Sequence, residues 1–168
     1  MATSDSASSD SAIAAASLRA RRLAGLQRAS LGALVMLTVQ FALGVGVNLY
    51  VSLPAHGRTS QAFSSGPLLA LHAVLGLLLV LAAIGALTQA VVVRHGPAIA
   101  AAAVGLVAVL AAALQGFSFV HDGTNQASMG MAVAGTLAML CYAIMLYLVR
   151  APRNLVPAGP RRADVSRG

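Results

Sequence analysis

The sequence predicts an all-α integral membrane protein, folded as an up-down-up-down bundle of four transmembrane helices. Of its 168 residues, 58% are hydrophobic and only 9% are charged, whereas about a quarter of the residues in soluble domains are charged. Between Ser30 and Val149 the charged residues are Arg58, Arg94 and Asp122, and each lies in a break between apolar runs. The breaks are short, which favours helices that pack beside their sequence neighbours.

Four apolar runs are long enough to cross a membrane. They cover residues 31–53, 67–93, 97–120 and 127–149. Each exceeds the roughly 20 residues that a helix needs to span a hydrocarbon core about 30 Å thick. Only a helix or a closed barrel pairs every backbone polar group inside lipid, and runs of this length favour helices.

The two ends of the chain are predicted to be disordered cytoplasmic tails. Residues 1–29 are rich in serine and alanine and then in arginine, and residues 150–168 combine arginines with three prolines. Neither segment offers much apolar surface to bury. The first run is predicted to be a permanent helix, since it is longer than the core of a signal peptide and "VSLPAHG" lacks a clear cleavage site.

The later connections predict tight turns. Arg94, His95 and Gly96 separate the second and third runs, and Pro97 suits the first turn of a new helix. His95 is therefore predicted to be a solvated turn residue. In the last connection, "HDGTNQ", an Asp-Gly turn precedes an N-cap at Thr124 or Asn125.

Arginine distribution predicts the orientation. If the helices alternate, all of the eleven arginines except Arg58 fall on one side. The positive-inside rule makes that side cytoplasmic, with both termini inside and loops 54–66 and 121–126 outside. No aromatic residues are interleaved with these arginines, so we expect contact with the lipid bilayer and none with nucleic acid.

Several polar or sulfur-containing side chains fall within the predicted spans. Four of them lie about 6 to 8 Å below the outer membrane boundary, counted at helical rise: Asn48, His72, Gln115 and Met131. Gln40 and Gln89 lie elsewhere in the first two spans. Their amides need partners in lipid, so both are predicted to join helices.

His72 is the main candidate for chemistry. It could ligate haem b, with Met131 on the other side and Gly76 leaving room for the macrocycle. The more economical interpretation is a neutral imidazole that forms a hydrogen bond with Asn48 or Gln115 and stabilises the bundle.

A metal site is a further candidate at the outer surface. Its ligands would be His56, His72, His121 and Asp122. The spacing of these residues follows no compact metal-binding motif such as His-x-x-x-His.

Absences in the sequence exclude several classes of protein. The chain has no glutamate and no aspartate within a span, so a proton-coupled exporter that depends on an intramembrane carboxylate is excluded. The single cysteine, Cys141, excludes thiol oxidoreductases that use cysteine pairs. No constellation for hydrolysis or phosphoryl transfer is present.

The stretches "VQFALGVGVNLYVSLPAHG", "LLALHAVLGLLLVLAAIGAL" and "ASMGMAVAGTLAMLCYAIMLYLV" resemble small four-helix bacterial membrane proteins of unassigned function. This resemblance implies a bacterial plasma membrane. In layout, the histidine of the second span is also distantly similar to the halves of haem A synthase and to b-type cytochromes, although the fourth span has no matching histidine.

We therefore expect a non-catalytic structural or accessory module without a cofactor, either a homo-oligomer or part of a larger membrane complex. The alternative is a haem-binding or redox membrane protein that uses His72. A further alternative is a transporter or channel for a small solute, lined by Gln40, Asn48 and Gln115.

Overall fold

The chain is helical throughout the part that the structure describes. The computed structural model describes the backbone of residues 4–50, 67–122 and 125–149, and the side chains of 11–50, 67–121 and 126–149. The helices of these ranges are α1 (Ser4–Tyr50), α2 (Pro67–Val93), α3 (Gly96–Asp122) and α4 (Asn125–Leu148), and the same ranges contain no strand. The predicted all-α class is confirmed for these residues.

All four helices are long and apolar enough to cross a membrane. Their outward surface is also apolar. Leu77 is 65% exposed, Leu114 69% and Phe117 77%. Soluble monomers rarely expose continuous apolar surface on this scale, whereas lipid covers it without cost.

α1 is longer than the predicted first span. The sequence predicts a disordered tail up to residue 29, whereas the helix begins at Ser4 and has 47 residues. The alanines in this segment favour helix. In addition, Leu26 and Ser30 are fully buried against the bundle, and the Ser30 hydroxyl donates to the Leu26 carbonyl at 2.8 Å. Burial of this inner face stabilises the helix from about residue 23 onward, whereas residues 11–22 are exposed.

The helices contact each other in a ring. α1 contacts α2 and α4, and α3 contacts the same two helices, while the described residues of α1 and α3, like those of α2 and α4, do not meet. Along α1 and α2 the contacts run in opposite numerical order, from Gly25 beside Gln89 to Gly46 beside Leu68. α2 and α4 are therefore diagonal, which matters for any ligand held between them.

Small residues fill the centre of the bundle. The fully buried alanines of the described residues are Ala83, Ala86, Ala90, Ala98, Ala102 and Ala138. Such side chains allow close helix approach, which replaces the hydrophobic effect as the driving force in lipid. At Gly105 the approach is close: an added Cβ would lie 3.1 Å from the ring of Tyr142, which is itself fully buried.

The turn between α2 and α3 is built by two residues. Arg94 has a φ of 57°, in the left-handed region, and its N–H donates to the Val91 carbonyl at 3.0 Å. His95 accepts the N–H of Ala98 at Nδ1, 3.3 Å away. His95 is thus the N-cap of α3, where the sequence predicts only a solvated turn residue. Thr124 and the side chain of Asn125, the predicted caps of α4, lie outside the described residues.

Candidate functional site

The polar candidates of α1 and α2 meet at one point. The Gln40 side-chain amide donates to the backbone carbonyl of His72 at 2.8 Å. The same nitrogen lies 3.2 Å from Nε2 of the His72 ring. The sequence predicts Asn48 or Gln115 as the partner of His72, and the structure gives Gln40 instead. The reason is that helix rotation and register, which periodicity does not fix, turn Gln40 toward α2.

This arrangement determines which nitrogen of the His72 imidazole carries the proton. A carbonyl oxygen only accepts, so the amide nitrogen of Gln40, and not its oxygen, must face His72. His72 Nε2 is then the acceptor, and the proton of the neutral ring is assigned to Nδ1. Nδ1 of His72 and Oε1 of Gln40 are buried, and neither has a hydrogen-bond partner among the described residues.

Two glycines make room for this pair. A Cβ added to Gly76 of α2 would lie 3.0 Å from Nε2 of Gln40, and one added to Gly44 of α1 would lie 3.1 Å from Cε1 of His72. Each polar side chain therefore packs on a glycine of the opposite helix. The sequence carries the corresponding signal, since "QFALG" and "HAVLG" both place a glycine four residues after the polar residue.

The α3 and α4 interface repeats this packing with different residues. A Cβ on Gly130 would lie 3.0 Å from the Gln115 amide carbon, and one on Gly116 would lie 3.8 Å from the sulfur of Met131. Gln115 and Met131 thus each cover a glycine of the neighbouring helix. Met131 serves here as a packing residue.

The predicted haem pocket is occupied by side chains of the bundle. Gln40 fills the space beside Gly76 and engages Nε2 of His72. Met131 is on α4, which is diagonal to α2, and its sulfur packs near Gly116. A haem between His72 and Met131 would require Gln40 to move and the two helices to separate, so the described residues do not fit this pairing.

The other polar candidates lie at separate interfaces. The side-chain oxygen of Asn48 in α1 accepts a hydrogen bond from the hydroxyl of Ser128 in α4, at 3.4 Å. Gln89 lies beside Gly25, where an added Cβ would be 4.0 Å from its amide oxygen. Gln40 contacts His72 of α2, whereas Asn48 and Gln115 both contact α4, at Ser128 and Gly130.

The proposed metal ligands are described only in part. His56 and the side chain of Asp122 lie outside the described residues. Among the side chains that are described, no three histidine, cysteine or acidic groups come together. The metal set of His56, His72, His121 and Asp122 stays a prediction.

Sequence reasoning missed several residues that this architecture uses. Gly44, Ser128 and the capping role of His95 were not singled out, because each depends on a partner distant along the chain or on backbone geometry. The fold and the site together define a class, the all-helical proteins with four helices long and apolar enough to cross a membrane. No family model, no curated protein and no solved structure matches the chain.

Proposed function

We propose that this protein is a non-catalytic structural or accessory module of the bacterial plasma membrane. The observation that carries the proposal is the bond between Gln40 and His72. His72, within α2, has its accepting nitrogen and its backbone carbonyl engaged by a neighbouring helix. Its role is to hold α1 against α2.

The proposal includes an up-down-up-down bundle with both termini in the cytoplasm. It is supported by the ring of helix contacts, the opposite numerical order of the contacts between α1 and α2, and the two-residue turn at Arg94 and His95. Orientation rests on the arginines, since all except Arg58 then lie on the inner side.

An accessory role also needs a surface for a partner helix. Between α3 and α4 lies an open groove of ≈ 570 Å³, lined mainly by small and apolar residues such as Ala111, Gly130 and Val133. Small residues at an accessible groove favour close helix packing in lipid. The partner is a second copy of this chain or a subunit of a larger complex, and the mass of the detergent-solubilised particle distinguishes them.

A visible absorption spectrum tests the proposal. The full-length protein, purified from haem-replete cells, is expected to show no Soret band. A band that is lost in His72→Ala but retained in the control His95→Ala would contradict the proposal. It would support the alternative, a haem-binding membrane protein. The specific observation in favour of this alternative is that Nδ1 of His72 is buried and has no hydrogen-bond partner among the described residues, so that a change of tautomer would leave it able to bind iron.

A further inference from the structure

A second concavity lies where α1 passes the end of α2. It has a volume of ≈ 830 Å³, and its rim carries Arg19 and Arg22 of α1 and Arg94 of the turn. Arg19 and Arg22 are three residues apart and so lie on one face of α1. The described lining residues include no acidic side chain. Three arginines therefore line one groove, and its described lining residues include no carboxylate.

The wall of this groove is apolar. Leu18 and Val92 line it beside the arginines, and they are 56% and 47% exposed. The groove thus joins a cationic rim to an apolar surface at the point where the 27-residue apolar helix α2 ends. A phospholipid has the complementary arrangement, because its charged headgroup is linked to apolar acyl chains.

The backbone at Arg94 supports a specific use of its side chain. Its φ of 57° is a conformation that favours glycine, because a Cβ there lies too close to the following carbonyl oxygen. Strained positions of this kind cluster at binding sites. Arginine at this position places a guanidinium at the groove.

We propose that this groove binds the phosphodiester headgroup of an anionic phospholipid of the inner leaflet. Arg19, Arg22 and Arg94 hold the phosphate, and an acyl chain lies along Leu18 and Val92. Guanidinium groups suit this role because they donate paired hydrogen bonds to phosphate oxygens. The proposal rests on the cytoplasmic orientation given under the proposed function.

Native mass spectrometry of the purified full-length protein tests the site. The probes are phosphatidylglycerol, phosphatidylcholine and inorganic phosphate, each added separately. We expect retention of phosphatidylglycerol over phosphatidylcholine. The variants are Arg19→Gln/Arg22→Gln and Arg94→Gln. In each, we expect the retention of phosphatidylglycerol to fall roughly fivefold for each arginine removed.

The matched control is Arg21→Gln/Arg28→Gln. It removes the same charge from exposed positions of the same helix that do not line the groove, and its retention should stay near that of the unmodified protein. An equal loss in the control would overturn the proposal in favour of diffuse surface charge. Equal retention of inorganic phosphate would overturn it in favour of a soluble anion.

Failure of this site is distinguishable from failure of the proposed function. The helical signal in the circular dichroism spectrum verifies that each variant is folded. A folded protein without a Soret band that retains phosphatidylglycerol and phosphatidylcholine equally would overturn the lipid site alone. A Soret band dependent on His72 would overturn the proposed function and leave the lipid result to stand on its own.

Discussion

At the scale of single residues, Gln40 contributes more to the contact between α1 and α2 than its position in the sequence indicates. It donates to two atoms of His72 and fills the space above Gly76. An amide within an apolar helix is stable only where its donors have partners. Gln40 and His72 satisfy this condition for each other in part, because one donor group of α1 meets two acceptors of α2.

Replacing Gln40 with methionine tests this pairing. Gln40→Met preserves the length of the side chain and removes both hydrogen bonds, so we expect the free energy of unfolding in detergent to fall by about 1 kcal/mol. The control is Gln89→Met, an exposed amide in α2, which should change stability by less than half as much. Equal losses in the two variants would contradict a specific role for Gln40.

The glycines of α2 provide a matched comparison. In Gly76→Ala the added methyl would lie 3.0 Å from Nε2 of Gln40, whereas at Gly85 an added Cβ meets no atom within 4 Å. Alanine favours helix at both positions by up to about 1 kcal/mol, and crowding opposes this gain only at Gly76. We expect Gly76→Ala to be less stable than Gly85→Ala by roughly 1 to 3 kcal/mol.

Chemical or thermal unfolding of the two variants under the same detergent conditions measures this difference. A third variant, Gly44→Ala, tests the reciprocal contact, since its methyl would lie 3.1 Å from Cε1 of His72. Gly76→Ala and Gly85→Ala variants of equal stability would show that Gln40 moves aside at no cost.

At the scale of helices, the apolar ranges of the sequence coincide with helices of the structure. The predicted range 67–93 has the bounds of α2, and the ranges 97–120 and 127–149 agree with α3 and α4 to within two residues at each end. Hydropathy determines these helices because lipid requires continuous backbone pairing. Helix contacts were not predictable in the same way, since the partner of His72 depends on the rotation of α1 about its axis.

The start of α1 shows a second limit of sequence reasoning. Residues 4–29 have the composition of a tail, but Leu26 is fully buried in the bundle and the helix continues without a break to Tyr50. The burial of one face comes from α1 packing beside its neighbours. Composition describes how much apolar surface a segment has and does not reveal that another helix covers it.

The cap of α3 is a helix-scale feature that a single substitution tests. His95→Ala removes the acceptor of the Ala98 N–H, and loss of an N-cap costs about 1 kcal/mol. His95→Asn supplies another acceptor and should retain most of the stability. The thermal unfolding midpoint of each variant checks this expectation, and equal destabilisation by alanine and asparagine would contradict it.

At the scale of the whole molecule, charge and apolar surface divide the protein into regions. Large apolar side chains such as Leu114 and Phe117 face outward, while about half of the buried residues in the main core are alanines. This pattern is compatible with a lipid environment, because lipid accepts leucine and phenylalanine while helix packing favours small side chains.

Thiol labelling tests the proposed orientation of the whole chain. On a Cys141→Ala background, Ser17→Cys is expected to resist a membrane-impermeant reagent in spheroplasts and to react after lysis. Gln126→Cys, at the other side of the proposed bundle, should react in both. Both parent residues are exposed. The opposite pattern would invert the orientation, and reaction of both cysteines in spheroplasts would exclude alternating helices.

The length of α1 has a mechanical consequence. Its 47 residues extend about 70 Å at helical rise, whereas the 27 residues of α2 extend about 40 Å. Since Gly46 lies beside Leu68 near one end of this pair, the excess length projects beyond the other end, past Arg94. Residues 11–22 of α1 are exposed, so little of the bundle packs against the projecting part to keep it straight.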